Sequence, residues 1–220
     1  MSSFSYPAKA LFCVLLVCGT LLAQTPPNRK DGKPDTSEYR SMVLRLKAGE
    51  DVDLVKLRAA FLQWLNDECN ITDAPKRDDM VKAFQDKAYA KAIELAQPVL
   101  DYEYTNRGLH LTLANAYEST GNAERAKYHK DFAARLLKAI LDSGDGKSAK
   151  TAYRVHGMRE EYLVMNELGY KVSSQSLVFD KQYGSFDVLA GTNGAGKEGS
   201  FYFDINDWWV GSTSSKPCKK

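Results

Sequence analysis

The amino-acid sequence predicts an α+β protein in which an N-terminal helical block packs on a small, β-rich C-terminal module. Apolar residues recur at helical spacing through most of residues 37–141. From residue 142 the pattern changes to a β-α-β-β-β order, with the strands collected near the end of the chain. With 44% hydrophobic and 26% charged residues, the 220-residue chain can bury a sizeable core.

The start of the chain has the pattern of a secretory signal peptide. Lys9 precedes an apolar run at residues 10–23 that ends in a small residue. This run is shorter than the roughly 20 apolar residues that span a bilayer, so we expect cleavage and export to the periplasm or the medium, with no stable membrane span. An uncleaved anchor fits less well, as does a lipoprotein at Cys18, because bulky Val17 precedes that cysteine. Residues 24–36 hold three prolines and one glycine among polar residues, which predicts a flexible linker.

The small net charge excludes partners that only a strongly charged protein would attract. Cleavage after residue 23 removes one of the 30 basic residues and none of the 28 acidic ones, so the net charge falls from +2 to +1. Such a chain has no bulk field to attract nucleic acid or an anionic membrane. We therefore expect no nucleic-acid partner.

Cleavage would also remove two of the four cysteines and leave Cys69 and Cys218. An even pair of cysteines in an exported protein can form a disulfide, which here would tie the polar tail at residues 211–220 to the first helical region. Two unpaired thiols are the alternative, because sequence spacing alone cannot bring the two side chains together.

Cap and turn signals divide the helical block into separate helices. The first covers residues 37–47, and Gly49 can end it. Asp53 can cap the second helix, whose apolar positions are Leu54, Leu57, Phe61, Leu62 and Leu65. Residues 78–141 are helical by pattern, and the turn at residues 119–122 divides them into a helix pair.

The helix pair has the spacing of a tetratricopeptide repeat. Ala92 and Ala126 lie 34 residues apart, which is the period of that repeat. The positions near the expected spacing are Leu113, Ala114, Tyr117, Gly121 and Ala126. The earlier copy is degenerate at Asp79, Met80 and Ala83. We predict one helix hairpin with one eroded neighbour, fewer than the roughly three repeats of a solenoid, and Tyr117 is a candidate binding residue.

The C-terminal module, predicted over residues 142–210, begins with a glycine-rich loop and alternates strand and helix signals. The expected strands are residues 151–156, 170–179, 186–189 and 201–205, with a helix over residues 159–168. Trp208 and Trp209 follow the last strand. Aromatic pairs can form a partner or sugar contact, whereas their commoner role is to close the edge of a core.

The stretch from Gly191 to Lys197, GTNGAGK, begins like a nucleotide-binding P-loop. Glu198 stands where the P-loop has the Ser or Thr that holds magnesium, and a strand pattern follows where a helix is required. Asn193 and Gly194 are a favoured hairpin dipeptide. We therefore predict a hairpin loop and no nucleotide, cofactor or metal.

The best candidates for acid–base chemistry are Glu160 and Glu161, because neighbouring carboxylates can separate their pKa values. The simpler interpretation is that they occupy the first turn of a helix, where negative charge favours the dipole. His156 precedes Glu160 by four residues, and Asp145 lies in the loop that opens the module. These four residues are the candidate catalytic set if the protein is an enzyme.

Four sequence blocks resemble those of the domain of unknown function 4919 family. They are DVDLVKLRAAFLQW, SGDGKSAKTAYRV, REEYLVMNELGYKVSSQSL and FYFDI, in that order, and they span roughly residues 37–207. The resemblance implies an exported or envelope protein of bacteria with a tetratricopeptide-like helical part. It implies no activity, and no catalytic residue can be carried over from it.

The helix hairpins, together with no recognisable catalytic constellation in the sequence, favour a binding or scaffolding module of the cell envelope. We expect an envelope protein or peptide to bind the helical face or the junction of the two regions. The alternative is a hydrolase-type enzyme that uses Glu160 or Glu161 in a cleft at that junction.

Overall fold

The computed structural model describes residues 28–67 and 75–209, and the described residues confirm the α+β architecture. The helices are α1 (Glu38–Lys47), α2 (Leu54–Leu65), α3 (Asp78–Gln85), α4 (Tyr89–Tyr102), α5 (Arg107–Ser119), α6 (Ala123–Leu141), α7 (Met158–Glu167) and α8 (Asn206–Trp209). The strands are β1 (Tyr153–Arg154), β2 (Tyr170–Asp180), β3 (Gly184–Asn193) and β4 (Glu198–Asp204). The predicted signal peptide, the polar tail, Cys69 and Cys218 lie outside the described residues.

Several helices begin at residues whose side chains can accept hydrogen bonds from free backbone N–H groups. The Asp53 carboxylate accepts hydrogen bonds from the backbone of Val55 and Lys56, so the predicted cap of α2 is confirmed. Asn106 and Asn122 cap α5 and α6 in the same way. The chain turns between α5 and α6 through Gly121, whose φ of +78° suits a residue without Cβ. Helices α3 and α4 form one hairpin, and α5 and α6 form the next.

The core of the helical block is aromatic at its centre. Tyr39 and Trp64 are buried, with ring centroids 5.3 Å apart. Asp35, at the end of the segment predicted to be a linker, is also buried; it pairs with Arg40 at 3.1 Å and accepts a 2.7 Å hydrogen bond from Trp64 Nε1. A buried charge is tolerated when it is paired and hydrogen-bonded. Through these two contacts, Asp35 fixes the path of the chain that leads into α1.

The C-terminal module is a four-stranded sheet with the strand order β1-β4-β3-β2. Strand β1 runs parallel to β4, and the other neighbours are antiparallel. The predicted β-α-β-β-β order is confirmed. Strand β3 is longer than the predicted residues 186–189 because it is paired on both sides, which extends the ladder over polar residues and Gly191.

The glycine-rich stretch forms the predicted hairpin between β3 and β4. The Asn193 side chain accepts hydrogen bonds from the backbone N–H groups of Ala195 at 3.1 Å and Lys197 at 2.9 Å. A strand follows the loop, whereas a P-loop is followed by a helix. The sequence motif therefore belongs to a solvent-exposed turn.

Helix α6 connects the two halves. Phe132 and Leu136 belong to the core of the helical block, whereas Ile140, one turn further on, belongs to the core under the sheet. Arg58 on α2 crosses the junction and donates hydrogen bonds from Nη2 to the Arg154 carbonyl at 3.3 Å and to Glu160 at 2.6 Å. These contacts hold the two halves against each other and leave a cleft beside them.

Candidate functional site

The cleft between the helical block and the module has a volume of about 480 Å³. Its walls come from α2, the α4–α5 connection, α6 and the start of α7. The lining residues are Phe61, Glu103, Thr105, Asn106, Arg107, Gly108, Leu136, Ile140, His156, Gly157, Met158, Arg159, Glu160 and Leu163. The cleft thus lies at the junction of the two regions, which is one of the two places where the sequence analysis expects a partner to bind.

Two helix N-termini and two arginines make this cleft electropositive. Helices α5 and α7 begin at Arg107 and Met158, both of which line it, and the first turn of a helix carries a partial positive charge. Among the described residues, neither Arg107 nor Arg159 has an ion-pair partner. Arg107 Nε is buried without a hydrogen-bond partner there. A buried guanidinium N–H without a partner is costly, so an anionic group in the cleft would relieve that cost.

The acidic residues of the cleft wall are already paired. Glu103 bonds to Arg77 at 2.8 Å, and Glu160 bonds to Arg58 at 2.6 Å. Glu160 also accepts a 2.7 Å hydrogen bond from the backbone N–H of His156. Each carboxylate thus bonds through one oxygen to an arginine other than Arg107 or Arg159, and Glu103 Oε1 is buried without a hydrogen-bond partner among the described residues. Neither carboxylate pairs with Arg107 or Arg159.

His156 lines the same cleft as an uncharged ring. Burial, together with the nearby charges of Arg58 and Arg154, lowers its pKa to about 3. The imidazole is therefore neutral near pH 7 and adds a polar group without a charge.

A second cavity of about 430 Å³ continues the cleft along α3 and α5. The two cavities share the lining residues Glu103, Asn106, Gly108 and Arg159. The second cavity is lined by apolar side chains of α3 and α5, among them Met80, Val81, Phe84 and Leu109. We call the two cavities together the junction groove. It joins an electropositive end to an apolar end.

The structure separates the two glutamates that the sequence analysis grouped together. Glu160 and His156 line the junction groove, whereas Glu161 does not. Consecutive residues on a helix point about 100° apart, so Glu161 turns toward the sheet, where it is fully buried. Asp145 lies on an exposed loop, where its carboxylate accepts a hydrogen bond from the Lys147 backbone at 3.0 Å.

Glu161 shares a polar cluster with Asp187, which is also buried, and with Gln175, which is exposed on β2. Gln175 Nε2 donates to Asp187 at 2.8 Å and lies 3.5 Å from Glu161 Oε2. Burial raises the pKa of Glu161 well above its ordinary value, and the charge of Asp187 and a hydrogen bond to it raise it further. Burial and the neighbouring Asp187 carboxylate therefore both favour the protonated form of Glu161.

The aromatic binding candidates lie outside the junction groove. Trp208 is half-buried against the core of the module, and Trp209 is 48% exposed beside it. Tyr117 on α5 is half-buried and stacks on His129, with ring centroids 5.4 Å apart and planes 10° apart.

A buried histidine pair between α5 and α6 was not anticipated. His110 Nδ1 and His129 Nδ1 lie 2.9 Å apart, and His110 Nε2 lies 2.9 Å from the Tyr104 carbonyl. A carbonyl only accepts, so His110 Nε2 carries the hydrogen and His110 Nδ1 accepts from His129. Burial lowers the pKa of His110 to about 4. Burial, together with the neighbouring His110 and Arg125, lowers the pKa of His129 to about 3.

The described residues contain no group of three or more His, Cys, Asp or Glu side chains that could hold a metal ion. In the same part of the chain, no helix combines the length and apolarity needed to cross a bilayer.

A family comparison covers the larger part of the chain. The sequence model of the family described as "Domain of unknown function (DUF4919)" matches residues 68–210. That range includes the electropositive end of the junction groove, the histidine pair and the whole sheet. Neither a curated protein nor a solved structure matches the chain.

Proposed function

Because the chain belongs to the domain of unknown function 4919 family, whose description names no activity, we propose its function from the site. The protein is a binding module of the bacterial cell envelope, and it holds a carboxylate-bearing peptide segment of a partner protein in the junction groove. The observation that carries this proposal is the position of Arg107 and Arg159. Both line the electropositive end of the junction groove, next to its apolar end, and neither has an ion-pair partner among the described residues.

The groove suits a peptide because its two ends favour different parts of one chain. A carboxylate at the electropositive end can accept two parallel hydrogen bonds from an arginine. Apolar side chains of the same segment would occupy the adjoining cavity, where Val81 is 44% exposed and Met80 can adapt its shape. Met158, 57% exposed at the start of α7, adds an apolar contact at the electropositive end.

The envelope location rests on the signal-peptide pattern of residues 1–23. The direct measurement is N-terminal sequencing of the protein recovered from fractionated bacteria. A chain that begins near Gln24 in the periplasm or the medium would support export. An intact N-terminus in the cytoplasm would contradict it.

Binding is tested with a paired set of peptides that share an apolar segment. One member of each pair ends in a free carboxylate, and the other ends in an amide. We expect the carboxylate peptides to bind more tightly, and the charge-assisted contact predicts a preference of about ten-fold or more. Fluorescence polarisation measures both members, and equal affinity for the two would contradict the proposal.

The double variant Arg107→Ala/Arg159→Ala should remove the preference for the carboxylate. Arg125→Ala is the matched control, because Arg125 is an exposed arginine of α6 that does not line the groove. If the control weakened binding as much as the double variant does, general charge rather than the groove would be responsible.

One observation favours the hydrolase alternative: Glu160 and His156 line the same cleft. It is the weaker candidate, because Glu160 Oε2 already accepts hydrogen bonds from Arg58 and from the His156 backbone N–H, so that oxygen is engaged in contacts within the protein. Hydrolysis of ester or peptide substrates that disappears in Glu160→Gln, while Glu167→Gln keeps it, would establish this alternative.

A further inference from the structure

Strand β2 forms a long outer edge of the sheet. It runs over 11 residues and pairs only with β3, and no described residue hydrogen-bonds to the backbone of its other side. Natural proteins protect such an edge with charges, prolines or a short strand, because its free N–H and C=O groups attract another strand. The segment from Val172 to Phe179, VSSQSLVF, contains no charge, proline or glycine. The edge therefore lacks the usual protection.

Large apolar side chains are exposed along the same edge. Phe179 is 70% exposed, the highest fraction among the large hydrophobic residues of the described chain. Leu177 is 42% exposed, and Tyr162 of α7, next to it, is 47% exposed. The Tyr162 hydroxyl donates to Gln175 at 3.3 Å, which places this ring beside β2. An apolar patch beside an unpaired strand is typical of an interaction surface.

The residues of β2 divide cleanly between the two faces of the sheet. The register with β3 is regular except at Ser173, which is skipped as a bulge. Because of that bulge, Val172 shares the α7 face with Gln175, Leu177 and Phe179. Lys171 shares the opposite face with Ser174, Ser176, Val178 and Asp180.

We propose that β2 pairs antiparallel with β2 of a second copy of this chain, about a two-fold axis at Ser176. A two-fold axis normal to a sheet requires one residue to oppose itself, and opposed residues must share a face. When Ser176 is that residue, Lys171 lies opposite Asp180 of the second copy. Val172 then lies opposite Phe179 of the second copy. This one register therefore pairs opposite charges and also brings apolar side chains together.

Pairing with a second copy of the chain accounts for more features of the β2 edge than binding of an unrelated peptide does. Any extended segment can use the free backbone groups, but the opposite charges at the two ends of β2 match the strand's own sequence. Symmetry repeats each contact, so one dimer gains two Lys171–Asp180 pairs and covers two Phe179 rings. The result is a continuous eight-stranded sheet, which removes the free edge of β2.

The register can be tested by a cysteine scan in a background in which all four native cysteines are serine. Ser174, Ser176 and Val178 share one face, and each is replaced by cysteine in turn. Only Ser176→Cys should form an intermolecular disulfide under mild oxidation, because only residue 176 opposes itself. Ser174→Cys and Val178→Cys are the matched controls. No cross-link at 176, or equal cross-linking at all three positions, would overturn the proposal.

The same surface is tested without cross-linking by sedimentation velocity of the native chain. We expect a concentration-dependent dimer that Phe179→Lys abolishes. Lys171→Glu should weaken it about ten-fold, since two cross-strand pairs become repulsive. Adding Asp180→Asn should recover most of that loss, and asparagine keeps the turn cap that Asp180 gives to Gln182 and Tyr183.

Circular dichroism and thermal unfolding check that each of these variants is folded. A native chain that stays monomeric at every concentration overturns the proposal, including the case in which β2 binds an unrelated peptide instead. A dimer that neither Phe179→Lys nor Lys171→Glu weakens uses another surface and overturns it equally. Binding in the junction groove is measured separately, so either proposal can fail without the other.

Discussion

The helical block and the C-terminal module each bury a pair of titratable side chains, and burial acts on the two pairs in opposite ways. In the helical block, His110 and His129 are held as neutral bases. In the module, Glu161 is held as a protonated acid beside Asp187. In each pair burial disfavours a charged form, that of the two histidines in one and that of Glu161 in the other. Burial thus gives the two pairs opposite responses to pH.

The direction of each response follows from proton uptake. An unfolded histidine binds a proton near pH 6.5, whereas the folded pair does so near pH 4 and pH 3. Their contribution to stability is therefore present above pH 6.5 and is lost as the pH falls toward 4. Glu161 has a raised pKa in the folded state, so its contribution is present below its ordinary value of 4.5 and is lost as the pH rises above it.

The largest effect is expected from breaking the histidine pair. His110→Ala removes the bonds to His129 and to the Tyr104 carbonyl and leaves a cavity beside Phe132. Such losses lower the free energy of unfolding by about 3 kcal/mol. Urea denaturation measures this change. Thr112→Ala, on the exposed face of the same helix, should cost far less, and an equal loss in both variants would show that the pair has no special role.

A smaller effect is expected from acid alone. In Glu161→Gln, which removes the opposing titration of Glu161, lowering the pH from 7 to about 5.5 should reduce the free energy of unfolding. The loss should be about 1 kcal/mol for each neutral buried histidine, of which His156 is the third. The measurement is a series of urea midpoints across this range. Adding His110→Ala should make the slope shallower. A slope of zero in Glu161→Gln would contradict the assignment of neutral buried rings.

The opposite contribution comes from Glu161 and appears when two chains are compared across neutral pH. Between about pH 6 and about pH 8, the native protein should lose roughly 1 kcal/mol of stability relative to Glu161→Gln. The histidine contribution is common to both chains, and only the native chain has Glu161 to ionise. Glu167→Gln, an exposed position on the same helix, should follow the native protein. If Glu167→Gln departed from the native curve as Glu161→Gln does, burial of Glu161 would not be the source of the difference.

The smallest effect compares a helix cap in one region with an exposed hairpin side chain in the other. Asp53→Ala removes the side chain that caps α2 and should cost about 1 kcal/mol. Lys197→Ala, in the hairpin between β3 and β4, removes an exposed side chain and should change stability by less than about 0.5 kcal/mol. Thermal unfolding compares the two variants directly. A larger loss at Lys197 would mean that the loop has a role beyond connecting two strands.

Local signals predicted the elements of the fold well. Asp53, the 119–122 turn and the Asn193–Gly194 hairpin act on their own neighbours in sequence, so their effect can be derived without knowing the tertiary structure. The burial of Asp35 could not be derived in this way, because its partner Trp64 lies 29 residues away. Proline-rich composition indicated a linker and gave no sign of this contact.

The candidate site was harder to predict because its parts come from distant segments. The sequence placed Glu160 and Glu161 together, whereas their neighbours Arg58 and Asp187 assign them to different sides of α7. Arg107 and Arg159 could have been noticed only as cations in the first turns of helices, where the dipole disfavours them. His110 and His129 meet across two helices, and no spacing rule for one helix reveals such a pair.

Helix α6 contributes side chains to both hydrophobic cores. Phe132 and Leu136 pack in the core of the helical block, and Ile140 packs in the core of the module. Neither core can lose its packing without disturbing the other, since both depend on the same stretch of backbone. We therefore expect the described residues to melt as one cooperative unit, with equal calorimetric and van't Hoff enthalpies. Amide protons in the middle of α6 should exchange only through global unfolding, so this helix would be the slowest-exchanging segment of the molecule.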